Sequence, residues 1–203
     1  AVIISIILTG GIFILWDIAA TARGDWAFNP AYISGIKIFN LPLEEILFFI
    51  TVPYACLFIF ETAAFYLPEK NLNINDNYFY SAAVIFLAGA VYFADNDYTF
   101  TVLLFSGIFF IIALNFYNDI LKSRVYWTAL GISFIPFLVV NYFLTSLPVV
   151  TYNLNAIWGI RFITIPVEDF FYSFSMISYF IFSYSAAKNF LLERKNKISP
   201  AEL

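Results

Sequence analysis

Residues 29–49 read NPAYISGIKIFNLPLEEILFF, and residues 153–173 read NLNAIWGIRFITIPVEDFFYS. At a constant offset of 124, Asn29, Ile33, Gly35, Ile36, Pro42 and Glu44 recur as Asn153, Ile157, Gly159, Ile160, Pro166 and Glu168. Lys37 becomes Arg161, Leu41 becomes Ile165 and Glu45 becomes Asp169. Chance alignment of two apolar segments would match Phe with Ile. It would not match Pro-x-Glu-acid preceded by Gly-Ile-base, so the chain is read as an internal repeat. The same offset carries Asp17 onto Asn141 and Thr21 onto Thr145. Each of these pairs is four residues apart and so shares one face of a helix.

The sequence around the repeat is that of a membrane protein. Hydrophobic residues make up 62% of the chain and charged residues only 12%, about half the usual charged share. No soluble fold has interior enough for this surface, so lipid must cover the excess. Six apolar stretches separate the charges: 1–16, 46–60, 77–94, 98–118, 125–147 and 170–187. A spanning helix needs about 20 residues, and polar flanks bring the shorter runs to that length. The fold expected is an all-α polytopic bundle with six spans in two parallel repeats joined by a linking helix. Pro42 and Pro166 suit first helical turns, where a missing N–H costs nothing, and Pro53 and Pro136 predict kinks. Residues 21–41 and 147–165 read as long loops, and 188–203 as a soluble, disordered tail. The division expected is 1–66 for the first repeat, 67–97 for the linking helix and turns, 98–190 for the second repeat and 191–203 for the tail.

Four crossings separate equivalent helices, so both acidic motifs belong on one side of the bilayer. That side carries Arg23, Lys37 and Arg161, against Lys70, Lys122, Arg124, Lys188, Arg194, Lys195 and Lys197 on the other. The positive-inside rule then places the C-terminus in the cytoplasm. The helix 98–118 should have a counterpart before the first. Its absence from this sequence predicts an uncovered apolar groove along the first and second helices, beside residues 3–15.

The candidate chemistry is carboxylate chemistry. There is no His, and Cys56 stands alone in an apolar run, so neither a histidine base nor a thiolate metal site is available. No metal ligand set and no cofactor is expected. The acid pairs Glu44–Glu45 and Glu168–Asp169 open two helices, where acids also favour the positive helix end. Adjacent helical residues point about 100° apart, so one acid of each pair can face the interior while its neighbour takes a hydrogen bond or a loop cation. Such a division suits a proton donor beside a charge-stabilising partner. Asp17 is a further candidate as an ionisable residue at the motif end of a span. Glu61 reads as interfacial, Asp95 and Asp97 as turn acids, and Trp16, Trp26 and Trp158 as interfacial belt residues.

Several classes are excluded. There is no glycine-rich dinucleotide motif, no phosphate loop, no Asp-x-x-x-Asp pair and no lysine midway along the last span. No basic stripe speaks for nucleic acid.

Taken with Trp16-Asp17, Thr21, Gly24, Trp26, Phe28-Asn29, Gly35, Leu41-Pro42-Leu43-Glu44-Glu45, Phe48-Phe49, Pro53-Tyr54-Ala55-Cys56 and Glu61, the first half resembles the membrane lycopene cyclase domain. The second half resembles it through Tyr152-Asn153, Gly159-Ile160-Arg161 and Pro166-Val167-Glu168-Asp169-Phe170-Phe171. That family includes heterodimeric bacterial cyclases and fused forms, and this chain looks like the fused two-domain form without the family's opening helix. The resemblance implies a cofactor-free, redox-neutral cyclisation of lycopene or a related linear carotene, entered laterally from the bilayer of a bacterial or archaeal cell. A carboxylic acid protonates the terminal double bond, an internal double bond attacks the cation, and a base removes a proton. Glu44, Glu45, Glu168, Asp169 and Asp17 are then the acid–base candidates. Phe48, Phe49, Phe170, Phe171, Tyr172 and Trp26, with Asn29, Asn153 and Arg161, are candidates for the substrate-binding wall. A homo-oligomer, or a complex with other carotenoid enzymes, is compatible. The competing readings are a small-solute transporter, which would line a mid-bilayer path with polar groups, and a non-catalytic carotenoid-binding protein, which would tolerate loss of the acids.

Overall fold

The structure, a computed structural model, describes residues 1–198. Its long helices are α1 (Val2–Arg23), α2 (Leu43–Tyr66), α3 (Asp76–Tyr92), α4 (Asp97–Phe116), α6 (Arg124–Ser146) and α7 (Val167–Ile198), with a short α5 (Asp119–Lys122). Each long helix falls on one of the six apolar stretches. α1, α2, α4 and α6 are long and apolar enough to cross a membrane. The 24 residues of α2 extend about 36 Å, enough for a hydrocarbon core of about 30 Å.

Helix ends follow local chemistry. Gly24 caps α1 at φ +80°, with its N–H and that of Asp25 donating to the Ala20 carbonyl at 3.1 and 3.0 Å. Asn75 and Ser123 cap α3 and α6 by accepting from Asn77 N and Tyr126 N, both at 3.0 Å. Pro42 and Pro166 sit one residue ahead of the helices they were expected to open, as the second residues of tight strand pairs. α4 lies deepest in the bundle, against α3 and α7. Its approach to α3 requires Gly107, since a Cβ there would lie 2.8 Å from Leu87 Cγ and 3.3 Å from the Ala83 carbonyl. Hydroxyls join α1 to α7: Ser5 and Thr9 meet Ser183 at 2.7 and 2.8 Å. Without water to drive helices together, such small polar contacts hold a membrane bundle.

The offset of 124 recurs in the backbone. Strand β2 (Lys37–Ile38) pairs with β3 (Leu41–Pro42), and β5 (Arg161–Phe162) pairs with β6 (Ile165–Pro166) in the same register. The turns between them place Phe39 and Ile163 at φ 57° and 59°, and Gly35 and Gly159 lie at 83° and 90°. A third pair crosses between the halves: β1 (Trp26–Phe28) runs antiparallel to β4 (Val150–Tyr152), centred on the equivalent residues Ala27 and Thr151. Its flanking bonds are reciprocal, Asn29 N to Val149 O and Asn153 N to Asp25 O, each 2.9 Å. A two-fold axis through Ala27 and Thr151 relates these contacts.

Several expectations are corrected. The first loop is shorter than residues 21–41, because α1 continues to Arg23. The expected tail is helical through Ile198, while its last residues, 199–203, lie outside the described residues. Lys188 anchors this stretch to α2 by donating to Glu61 at 2.6 and 2.8 Å. Trp16 and Trp26 are buried in aromatic packing, unlike belt residues, whereas Trp158 is half exposed. The apolar groove, of about 330 Å³, runs between α2 and α6 instead of along α1 and α2. Thr51, Ala55, Cys56, Ser133, Pro136 and Phe137 are among its walls. The reason lies in how α4 packs: it contacts α7 and, through Phe105, Phe13 of α1, with ring centroids 5.5 Å apart. The equivalent place lies between α2 and α6, so repeat logic should have put the groove there. The flank of α1 is nevertheless bare, as expected, with Ile3, Ile7, Ile12 and Leu15 all more than half exposed.

Candidate active site

The crossed strands form a roof over one end of the bundle. Side chains alternate along a strand. Trp26 and Phe28 of β1, and Val150 and Tyr152 of β4, therefore point down, while Ala27 and Thr151 face out. Beneath them is a cavity of about 80 Å³ walled by Asp17, Glu45, Phe48, Tyr98, Asn141, Leu144, Asp169, Tyr172 and Ser173. Helical spacing explains the floor. Glu45 and Phe48 lie three apart, and Asp169 lies three and four residues before Tyr172 and Ser173, so each set shares a face. Phe48, Asn141 and Ser173 also border the α2–α6 groove, which makes the groove continuous with the cavity.

The three carboxylates of the cavity have different partners. Asp169 is buried and held at both oxygens, with Tyr98 Oη donating to Oδ1 and Tyr152 Oη to Oδ2, each at 2.8 Å. Asp17 is buried too, with Thr21 Oγ1 donating to Oδ1 at 3.4 Å and the Trp26 side chain nearby, while Oδ2 has no hydrogen-bond partner among the described residues. Glu45 accepts no hydrogen bond among the described residues, and it lies close enough to Asp17 for their charges to interact. An unpartnered buried carboxylate oxygen costs about 1–3 kcal/mol or more, a cost that two neighbouring acids relieve by sharing a proton. Burial and the nearby Asp169 charge hold the Tyr152 phenol well above its ordinary range, so it remains a donor.

The other two acids fasten loops. Glu44 is exposed and accepts from Ser34 N at 2.7 Å. Its equivalent Glu168 is fully buried and accepts at one oxygen from Trp158 N and Thr99 Oγ1, both at 2.6 Å. Neither lines the cavity. The pairs thus divide identically: the first acid ties the loop ten residues upstream, and the second faces the cavity.

The wall is narrower than the sequence suggested. Trp26, Phe48 and Tyr172 line the cavity, while six other candidates lie elsewhere. Phe49 is sealed in the core, Phe170 packs on Phe134 and Phe137 of α6, and Phe171 packs on Phe86 of α3. Asn29 and Asn153 close tight turns by accepting from Ala31 N and Asn155 N at 3.0 Å. Arg161 is exposed, bonds the Thr164 carbonyl and lies 5.8 Å from the Tyr152 ring centroid. The sequence reading missed Tyr98, Tyr152 and Phe28. Tyr152 and Phe28 occupy equivalent positions, which was the available signal, while Tyr98 offered none. Behind the cavity Trp16 stacks on Phe105 at 4.9 Å and leans on Tyr172 at 5.1 Å.

A bundle of long apolar helices that gathers three acids among aromatic rings, beneath a strand roof, defines a polytopic helical membrane protein. The comparison with known families is specific: the lycopene cyclase family matches residues 1–63 and 97–187, and the chain belongs to that family. Its general role is that of a carotenoid cyclase in the membrane. No curated protein and no solved structure matches the chain.

Proposed function

We propose that the chain is a lycopene cyclase that closes the linear end groups of lycopene, or a related linear carotene, into β-rings, as in β-carotene. The observation that carries this reading is the meeting of Asp17, Glu45 and Asp169 in one aromatic cavity. Asp17 and Glu45 hold one proton between them and donate it to the terminal double bond. The resulting tertiary cation is attacked by the internal double bond, which closes a six-membered ring. Asp169, held at both oxygens by two phenol donors, faces the ring cation and takes the departing proton. One proton enters and one leaves, so the reaction is an isomerisation without a consumed cofactor. The faces of Trp26, Phe48 and Tyr172 stabilise the positive charge, and the strand roof keeps out water that would trap it. Glu44 and Glu168 act at a distance, by fixing the loops that carry the roof.

In this reading 1–66 and 98–190 are the two repeats, 67–97 links them, and 191–203 is a tail on the cytoplasmic face of a bacterial or archaeal membrane. The apolar α2–α6 groove suits hydrocarbon, either lipid or the remainder of the carotene. The test is expression in a bacterial host that accumulates lycopene, with pigments separated by chromatography. Cyclic carotene is expected. Unchanged lycopene, with the protein present in the membrane, would overturn the reading.

A further inference from the structure

The acid that ends the reaction must choose among several hydrogens. A six-membered ring cation of this kind bears hydrogens on three neighbouring carbons. They are the ring carbon that carries the polyene, the ring CH₂ on the other side and the attached methyl. In each case the C–H electron pair becomes the new double bond and the proton passes to the base. The products differ only in where that double bond lies: conjugated with the chain, in the ring but out of conjugation, or exocyclic. These positions lie within a few ångströms of one another, so proximity alone does not select among them. The base must be aimed.

Asp169 is built for aim. A carboxylate turns freely about its last side-chain bond unless both oxygens are held. Tyr98 holds Oδ1 and Tyr152 holds Oδ2, both at 2.8 Å. The two phenols brace each other, their rings stacked 5.9 Å apart and 15° from parallel. Trp26 closes the edge of Tyr98 at 5.0 Å. Tyr98 comes from the first turn of α4 and Tyr152 from the roof strand β4, so two separate elements converge on one carboxylate. Among the described residues nothing comparable holds Glu45, whose equivalent partner position carries Phe28 where Asp169 has Tyr152.

We propose that Tyr98 and Tyr152 are positioning residues that aim the Asp169 carboxylate at one hydrogen of the ring cation and so decide which ring isomer is released. This rests on the cyclase reading above. Removing one phenol frees one oxygen and lets the carboxylate rotate toward the competing hydrogens, and a misplacement of about 1 Å is enough to alter such steps strongly.

The experiment is Tyr98→Phe and Tyr152→Phe, each expressed in the lycopene-accumulating host. Ring isomers are resolved by chromatography and by the absorption shift that loss of conjugation causes. Tyr152→Phe is the robust variant, because the paired strand already seats Phe28 at the equivalent register. Tyr126→Phe is the control, since it removes a buried phenol that meets Ser178 at 2.8 Å, far from the cavity. The minor ring isomers should rise on the order of tenfold in both test variants and stay constant in the control. Slower turnover with an unchanged isomer ratio would overturn the proposal, as would a shift of equal size in Tyr126→Phe. Failure of the wild-type protein to make any cyclic product would instead sink the cyclase reading itself.

Discussion

Residues 25–49 and 149–173 share a backbone and differ in chemistry. Both contain an asparagine turn, a glycine at positive φ, a two-residue strand pair and an acid that ties back to the backbone ten residues earlier. Every equivalent pair that lines the cavity differs in residue type, and three of the differences bear on the acids. Asp17 corresponds to Asn141, Phe28 to Tyr152, and Glu45 to Asp169. The first half therefore contributes two carboxylates with few donors, and the second contributes one carboxylate with two. In the proposed mechanism this asymmetric set of donors on a symmetric scaffold is what separates proton-giving from proton-taking acids. The deepest test of this comparison is Asp169→Asn, which keeps the shape and one acceptor oxygen for the phenols but removes the charge. Conversion of lycopene should fall by about 100-fold or more, the usual scale for loss of a general base. Near-normal conversion would show that the donor-rich half is not the base.

The donor half is tested by Asp17→Asn, Glu45→Gln and the double variant, scored by initial rate of ring formation in isolated membranes. Each single variant should lose about 100-fold. If the two acids share a proton, the double variant should be little worse than either single one, because acids that act as a unit give non-additive losses. Fully additive losses would mean that they act separately. A sharper break exchanges the asymmetry: Asp17→Asn with Asn141→Asp. The exchange should restore less than about a tenth of wild-type rate, because the two phenols stay with Asp169. Full recovery would make the halves interchangeable and undo the comparison.

Much of this was legible in the residues, for identifiable reasons. Hydrophobic runs and proline positions report helices, since lipid forces every backbone group into internal hydrogen bonds. The repeat located both acid pairs, and the 100° helical step foretold that the acids of each pair would diverge. It did not say which acid would turn inward, because that depends on the direction in which each helix leaves its strand pair. The β1–β4 crossing was illegible, since three-residue strands carry no periodicity. Without it neither Tyr152 nor Phe28 could be placed over the cavity. Phe49, Phe170 and Phe171 were misjudged because aromatic composition near a site does not reveal which face a side chain takes. Trp16 and Trp26 were taken for belt residues for the same reason.

The smallest expected effect separates Glu168 from Glu44, which look alike in sequence and bond alike in the backbone. Glu168 is fully buried, accepts two hydrogen bonds at 2.6 Å and keeps one oxygen without a partner among the described residues. Replacing it with Gln retains an acceptor but weakens both bonds, and bonds to a charged group are worth about 1.5–3 kcal/mol each before compensation. The loop 150–162 would loosen, and with it the roof residue Tyr152. Glu168→Gln should therefore lower the thermal midpoint in detergent by several degrees and slow ring formation about tenfold. Glu44 is exposed and its bond to Ser34 competes with water, so Glu44→Gln should stay within about threefold of wild type with no resolvable shift in midpoint. Thermal unfolding and initial rates on the same detergent preparations would check both. Equal losses in the two variants would mean that Glu44 reaches the reacting molecule or that Glu168 carries no loop. Either outcome would remove the distinction between the acid that fastens and the acid that reacts.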